Sequence, residues 1–175
     1  MRFMSKDECE TFAKRLGRSS DLLDRKKLTT MKKRLDFLYK SRLDNADEVA
    51  GAIAYCCEPF SEVLLWSHAL VWGDQTQQPD ASPDWSHYGA WRREHGATGG
   101  LYDLPGQLFE FGEQRELVEG VKWTLLTGSD AILIPRPTRV LIHFSHDDLI
   151  SVHCRSAPAA LRDLERLKLR RIVLP

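Results

Sequence analysis

The sequence predicts an α+β domain: a mainly antiparallel sheet with helices packed on one face, entered through a helical N-terminal region. Three observations carry this. Asp130 to Cys154 alternates apolar and polar residues at period two around two turn signals. The stretches near residues 5–16, 45–57 and 113–126 instead repeat apolar residues at spacings of three and four. Helices also come in a run before the strands rather than alternating with them. At 175 residues the chain suffices for one core, and no Gly/Ser/Pro linker divides it. One domain is therefore expected over 1–175, with a basic helical region 1–43 and a core 44–175 that ends in a β-hairpin, a helix and a terminal strand.

The first helix opens on Ser5-Lys6-Asp7-Glu8, a capping-box pattern in which hydroxyl and carboxylate each satisfy a free backbone N–H. Cys9, Phe12, Ala13 and Leu16 then share a face, and Gly17 stops the helix. A second helix is expected after Ser20 or Asp21, with Leu28, Met31, Leu35 and Leu38 inward and Lys26, Lys27, Lys32, Lys33 and Arg34 on its solvated side. Asn45 or Asp47 caps a third helix through Val49, Ile53 and Cys56, which Pro59 ends. The continuous apolar run from Glu62 to Trp72 fits a buried strand or a short buried helix, with a strand preferred near Ala69–Trp72.

Residues 74–100 have a loop's composition, interrupted by Asp84 to Arg93, where Trp85, Tyr88 and Trp91 recur at helical spacing. A short helix laid on the core is expected there, and an exposed aromatic platform is the alternative. Pro105 to Glu110 reads as a turn into a strand. Glu113 to Leu126 reads as a helix with Leu117, Val121 and Leu125 buried and Gly128 closing it. After the strands, Ala157-Pro158 starts a last helix with Leu161, Leu164 and Leu167 inward, and Arg171 to Pro175 forms a terminal strand.

Composition excludes several classes. With 42% hydrophobic and 29% charged residues the chain reads as a soluble protein, and no apolar run approaches the roughly 20 residues that span a bilayer. Met1 to Lys6 leads into a charged helix rather than a secretory segment, so a cytoplasmic location and no membrane contact are expected. Cys9, Cys56, Cys57 and Cys154 form no C-x-x-C pair and are read as core residues. The net charge is +0, yet residues 1–43 carry 13 basic and 6 acidic side chains, residues 44–130 carry 4 and 15, and residues 131–175 carry 8 and 4. Such segregation is met either by ion pairs between the segments or by separate charged surfaces.

Four blocks in order, Ser67 to Gly73, Leu104 to Phe109, Leu125 to Pro135 and Phe144 to Asp148, carry a resemblance. They resemble small bacterial proteins, with no assigned reaction, that share S-x-A-L-x-W-x-x-W-G, P-G-H-L-F, L-x-G-W-D-A-x-L and F-x-S-H-D-E. The resemblance covers roughly residues 65 to 153. Gln107 stands where that pattern has His, Ser129 where it has Trp and Asp148 where it has Glu. By analogy with other such orphan domains, it implies an immunity protein that neutralises a toxin.

His143, His146, Asp147, Asp148, His153 and Cys154 are the cluster with site chemistry, since imidazole and carboxylate bind metals and move protons near neutral pH. If Val140, Ile142 and Phe144 face the core, His143 points the other way. His146 and Asp147 occupy a turn, where side-chain to backbone hydrogen bonds are the commoner use. No G-x-S-x-G elbow and no glycine-rich phosphate loop is present. No cofactor is expected. The function expected is binding of a protein partner, a basic bacterial toxin, through Asp103, Glu110, Glu113, Glu116 and Glu119 with Trp85 or Trp91 as apolar anchor. The alternative is a small metal-assisted hydrolase built on His143, His146, Asp147 and His153. Nucleic-acid binding through the lysine-rich second helix is not expected, because no aromatic residues interleave its cations.

Overall fold

The computed structural model describes residues 1–16, 31, 33–39, 45–70, 73–78, 81–155, 161–167 and 170–172. In chain order the elements are β1 (Arg2–Met4), α1 (Lys6–Arg15), β2 (Lys33–Leu38), α2 (Ala46–Cys56), β3 (Glu62–Ala69), α3 (Pro83–Glu94), β4 (Gly106–Glu110), α4 (Gln114–Thr127), β5 (Asp130–Arg136), β6 (Val140–Ser145), β7 (Leu149–Cys154), α5 (Leu161–Arg166) and β8 (Arg170–Ile172). The strands form one eight-stranded sheet in the order β1-β4-β3-β5-β6-β7-β2-β8, and every neighbouring pair is antiparallel. The fold is α+β, as the pattern of elements predicts.

The middle of the sheet is buried on both faces. Val63, Leu64, Leu65 and Trp66 of β3 are all buried, as are Ile132, Leu133 and Ile134 of β5, so a residue-by-residue alternation would leave half of them in water. Two layers of cover prevent this. α2, α4 and α5 bring Val49, Ile53, Leu117, Val121, Leu125 and Leu164 against Val63, Leu65, Leu133, Ile142 and Phe144. On the opposite face α1 brings Cys9, Phe12 and Ala13 against Leu64, Trp66, Leu108, Ile132 and Ile134. The sequence expects helices on one face. The structure places α1 on the other, because the unbroken apolar runs of β3 and β5 demand it.

α1 begins as the sequence predicts. Glu8 N–H donates to Ser5 Oγ at 3.4 Å, and Ser5 N–H donates to Glu8 Oε2 at 2.8 Å. That backbone bond and the Arg2 guanidinium hold the Glu8 carboxyl below the usual carboxylate range. Packing brings α1 very close to β4: a Cβ on Gly106 would collide with Cys9 Sγ and lie 3.0 Å from Met4 Cβ. Asn45 is the N-cap of α2, but no side-chain hydrogen bond caps it.

The second predicted helix is corrected where it is described. Lys33–Leu38 is a strand, with Phe37 buried and Leu35 packed against the first-face core. Leu35 and Phe37 alternate at period two, and six residues of pairing with β7 satisfy a backbone that a helix would have satisfied internally. Gly17, Ser20, Asp21, Lys26, Lys27, Leu28 and Lys32 lie outside the described residues. β1 is an addition, since the sequence shows only a lead into α1. β3 is a strand, as preferred, but it starts at Glu62 rather than near Ala69, and Val71 and Trp72 lie outside the described residues.

Candidate functional site

β6 and β7 pair in register from Val140↔Cys154 to Ser145↔Leu149, which leaves His146, Asp147 and Asp148 as a three-residue tip. Asp148 takes φ 58°, the left-handed conformation that closes such a hairpin and that Asp tolerates better than most residues. The tip is held from outside. Asp130, the first residue of β5 and 9% exposed, accepts His146 N–H at 2.9 Å and His146 Nδ1–H at 2.9 Å. Nδ1 therefore carries the proton, while Nε2 stands 3.4 Å from Asp147 Oδ1. Ser145 Oγ accepts Asp147 N–H at 3.3 Å. The arrangement is able to relay a proton, but every contact it makes fixes the turn.

His143 and His153 are elsewhere. As the alternation predicts, His143 turns away from Val140, Ile142 and Phe144. It meets His153 edge to face with ring centroids 5.2 Å apart, both rings buried. Four residues of β7 separate His153 from the tip, a distance of about 16 Å along a strand. The four residues of the hydrolase reading thus fall in two places. Among the described residues no three His, Cys, Asp or Glu side chains come together as a metal-holding group.

A polar row that the sequence does not reveal crosses three strands on the same face as His143. Asp36 of β2 is opposite Ser151 of β7, which is opposite His143 of β6. Ser151 Oγ–H donates to Asp36 Oδ1 at 2.6 Å, and Arg34 Nε–H donates to the same oxygen at 2.9 Å. Here the serine proton goes to the carboxylate rather than to an imidazole. Asp36, Ser151 and His143 are each at most 5% exposed, so the row lacks both the order and the access of a hydrolytic triad.

The predicted partner-binding residues separate by burial. Trp85 and Trp91 are 8% and 7% exposed and form a core with Tyr88 and Leu101, so neither is a surface anchor. Trp91 Nε1–H donates to Glu119 at 2.6 Å, which commits Glu119 to the interior side of α4. Glu113 pairs with the Met1 amino group and accepts Glu110 N–H at 2.8 Å. Asp103 is exposed but precedes β4, whereas Glu110 ends it, so the two stand at opposite ends of that strand. What remains at the Glu110 end is Glu110, Glu116 and an aromatic that sequence reading passed over. Phe111 is 77% exposed, on a turn with Gly112 at φ 99°; a large apolar residue beside a turn glycine was the available signal. Tyr55, 59% exposed, lies on the last turn of α2. The Lys122–Asp47 pair, at 2.8 Å, ties the start of α2 to the later half of α4, so the end of α2 stands with the start of α4.

Two concavities lie on the surface of the described residues. A groove of about 320 Å³ lies between α1 and the sheet, floored by Met4, Phe12, Leu16 and Leu108 and rimmed by Arg2, Arg15, Glu62 and Arg136. A smaller one, about 220 Å³, is lined by Lys6, Trp66, Ser67, His68, Tyr102 and Pro105. No helix among the described residues is long and apolar enough to cross a membrane. Comparison of the chain with protein-family models, with curated proteins and with solved structures finds no match in any of the three.

Proposed function

We propose that the chain is a protein-binding inhibitor of the immunity type, which occludes a basic bacterial toxin in the cytoplasm. The observation that supports this reading is Phe111, 77% exposed on the turn after the exposed Glu110, with Glu116 half-buried on the first turn of the following helix and Glu58 exposed before the entry to β3. A large apolar side chain left in water beside carboxylates offers an anchor to a basic partner. The groups with catalytic chemistry are meanwhile engaged in holding strands and turns, and an occluding inhibitor needs none of them. The test is co-expression with a basic bacterial toxin, sought first in the gene adjacent to the one for this chain. Wild type should protect the cell, while F111A and E110K/E116K should fold with an unchanged melting temperature yet lose protection. Full protection by both variants would remove this end of the molecule from consideration.

A further inference from the structure

The end of the sheet that carries Phe111 is bipolar. Phe111 N–H donates to Ser61 O at 2.9 Å and Ser61 N–H donates to Arg136 O at 2.8 Å, so the β4 turn, the entry to β3 and the end of β5 stand side by side. Beyond β5 along the same end come Arg139, before β6; Arg155, after β7; and Lys33, the first residue of β2. Register confirms their adjacency, since Cys154 is opposite both Val140 and Lys33. Neighbouring strands lie about 4.8 Å apart, so these cations form a row one strand pitch after another. All three are exposed, and none makes an ion pair among the described residues. On the β4 side, Glu58 and Glu110 are exposed and Glu116 is half-buried, none with a cationic partner among the described residues; the exposed Arg115 beside Glu116 is closed by Glu119 at 3.5 Å, and Phe111 projects from the turn after Glu110. Between the two halves sits one closed pair, Arg136 with Glu62 at 3.0 Å.

We infer that this end binds a second copy of the chain. A surface with an acidic, aromatic half and a basic half on either side of a neutral midpoint is complementary to itself when turned by a two-fold rotation about that midpoint. Glu58, Glu110 and Glu116 of each copy then face Lys33, Arg139 and Arg155 of the other. Phe111 is covered twice, once in each direction. The occupant is set by charge complementarity: a purely basic partner matches only the acidic half, and a polyanion only the row of cations. The inference goes beyond the toxin-binding reading but shares its glutamates, so a toxin and the second copy compete for one half of the surface.

Sedimentation of the full chain, with wild type, E110K/E116K and R139E/R155E run separately and as an equimolar mixture of the two variants, tests this. Wild type should sediment as a dimer whose affinity falls about tenfold or more as salt shortens the Debye length from about 10 Å to about 3 Å. Each variant should be monomeric with an unchanged melting temperature, and the mixture should recover the dimer. A monomeric wild type, a dimer that survives either reversal, or a mixture that stays monomeric overturns the proposal; in the last case, anion binding by the cation row is the explanation left to measure. R139E/R155E leaves the acidic half intact and should still protect against the toxin, so loss of self-association and loss of toxin binding are read separately.

Discussion

Asp130 receives two donors from one residue, the backbone N–H and the ring Nδ1–H of His146. The carboxylate, not the imidazole, is therefore the organiser of the β6–β7 tip. His146→Ala keeps the backbone bond and should cost about 0.5–1.5 kcal/mol, whereas Asp130→Ala loses both charged bonds and strands a partly buried N–H, at about 1.5–3 kcal/mol. Urea denaturation of the two variants decides it, and equal losses would show that the ring carries the contact. Sequence reading finds the turn and the orientation of His143 because both follow from period two. It cannot find Asp130, which lies 16 residues upstream and reaches His146 only through the pairing of β5 with β6. The same limit hides Asp36–Ser151, 115 residues apart. Tryptophan placement was more accessible: Trp85, Tyr88 and Trp91 recur at helical spacing, and the packed helix of that pattern is the one that forms.

Helices α1, α2 and α4 and the β5–β6–β7 meander are legible because their periodic stretches are long or clearly capped. β2 is not, since Leu28, Met31, Leu35 and Leu38 satisfy a spacing of three and four while Leu35 and Phe37 satisfy a spacing of two. Over so few residues the partner strand decides, and the partner lies more than a hundred residues away in sequence. The contact between α1 and β4 is a sharper element-scale property. Because the Cβ of an alanine at 106 meets Cys9 Sγ, Gly106→Ala should push the helix off the strand and destabilise by about 1–3 kcal/mol. Cys9→Ala in the same chain removes the colliding sulfur and should recover part of that loss. Additive effects in the double-mutant cycle would mean that the two elements do not touch there.

At the scale of the molecule, ion pairs cancel part of the segregated charge of the sequence between segments. Among the described residues the Met1 amino group with Glu113 joins the N-terminal part to the acidic middle and Arg136–Glu62 joins the basic C-terminal part to it, while Arg2–Glu8, Arg34–Asp36 and Lys122–Asp47 each stay within a segment. All four cysteines are buried and outside any disulfide; burial pushes Cys9 up to about 12 from 9.0, and raises Cys57 and Cys154 as well, the last against the pull of Lys33. In the folded chain these thiols stay protonated where an unfolded thiol ionises. Stability is then fully present below pH ~8.5 and falls as pH rises toward the folded values. Urea midpoints should drop across pH ~8.5 to ~10, with Ellman reagent titrating no thiol before unfolding and all of them after it. A flat profile, or a thiol that reacts in the native protein, would contradict this.

The strand order has one further consequence, for how the protein reaches its fold. β1 closes the open side of β4, and β2 closes the open side of β7, so two strands from the first 38 residues guard opposite sides of a meander made later in the chain. During synthesis both guards emerge well before the strands they protect. Removal of residues 1–38 should leave the meander with two long unpaired rims, the template on which chains add strand to strand into aggregates. Light scattering of that truncation on refolding, against the clear solution of the full chain, measures it. On this prediction the N-terminal segment guards the sheet against intermolecular strand addition, a task that its helix-like sequence conceals.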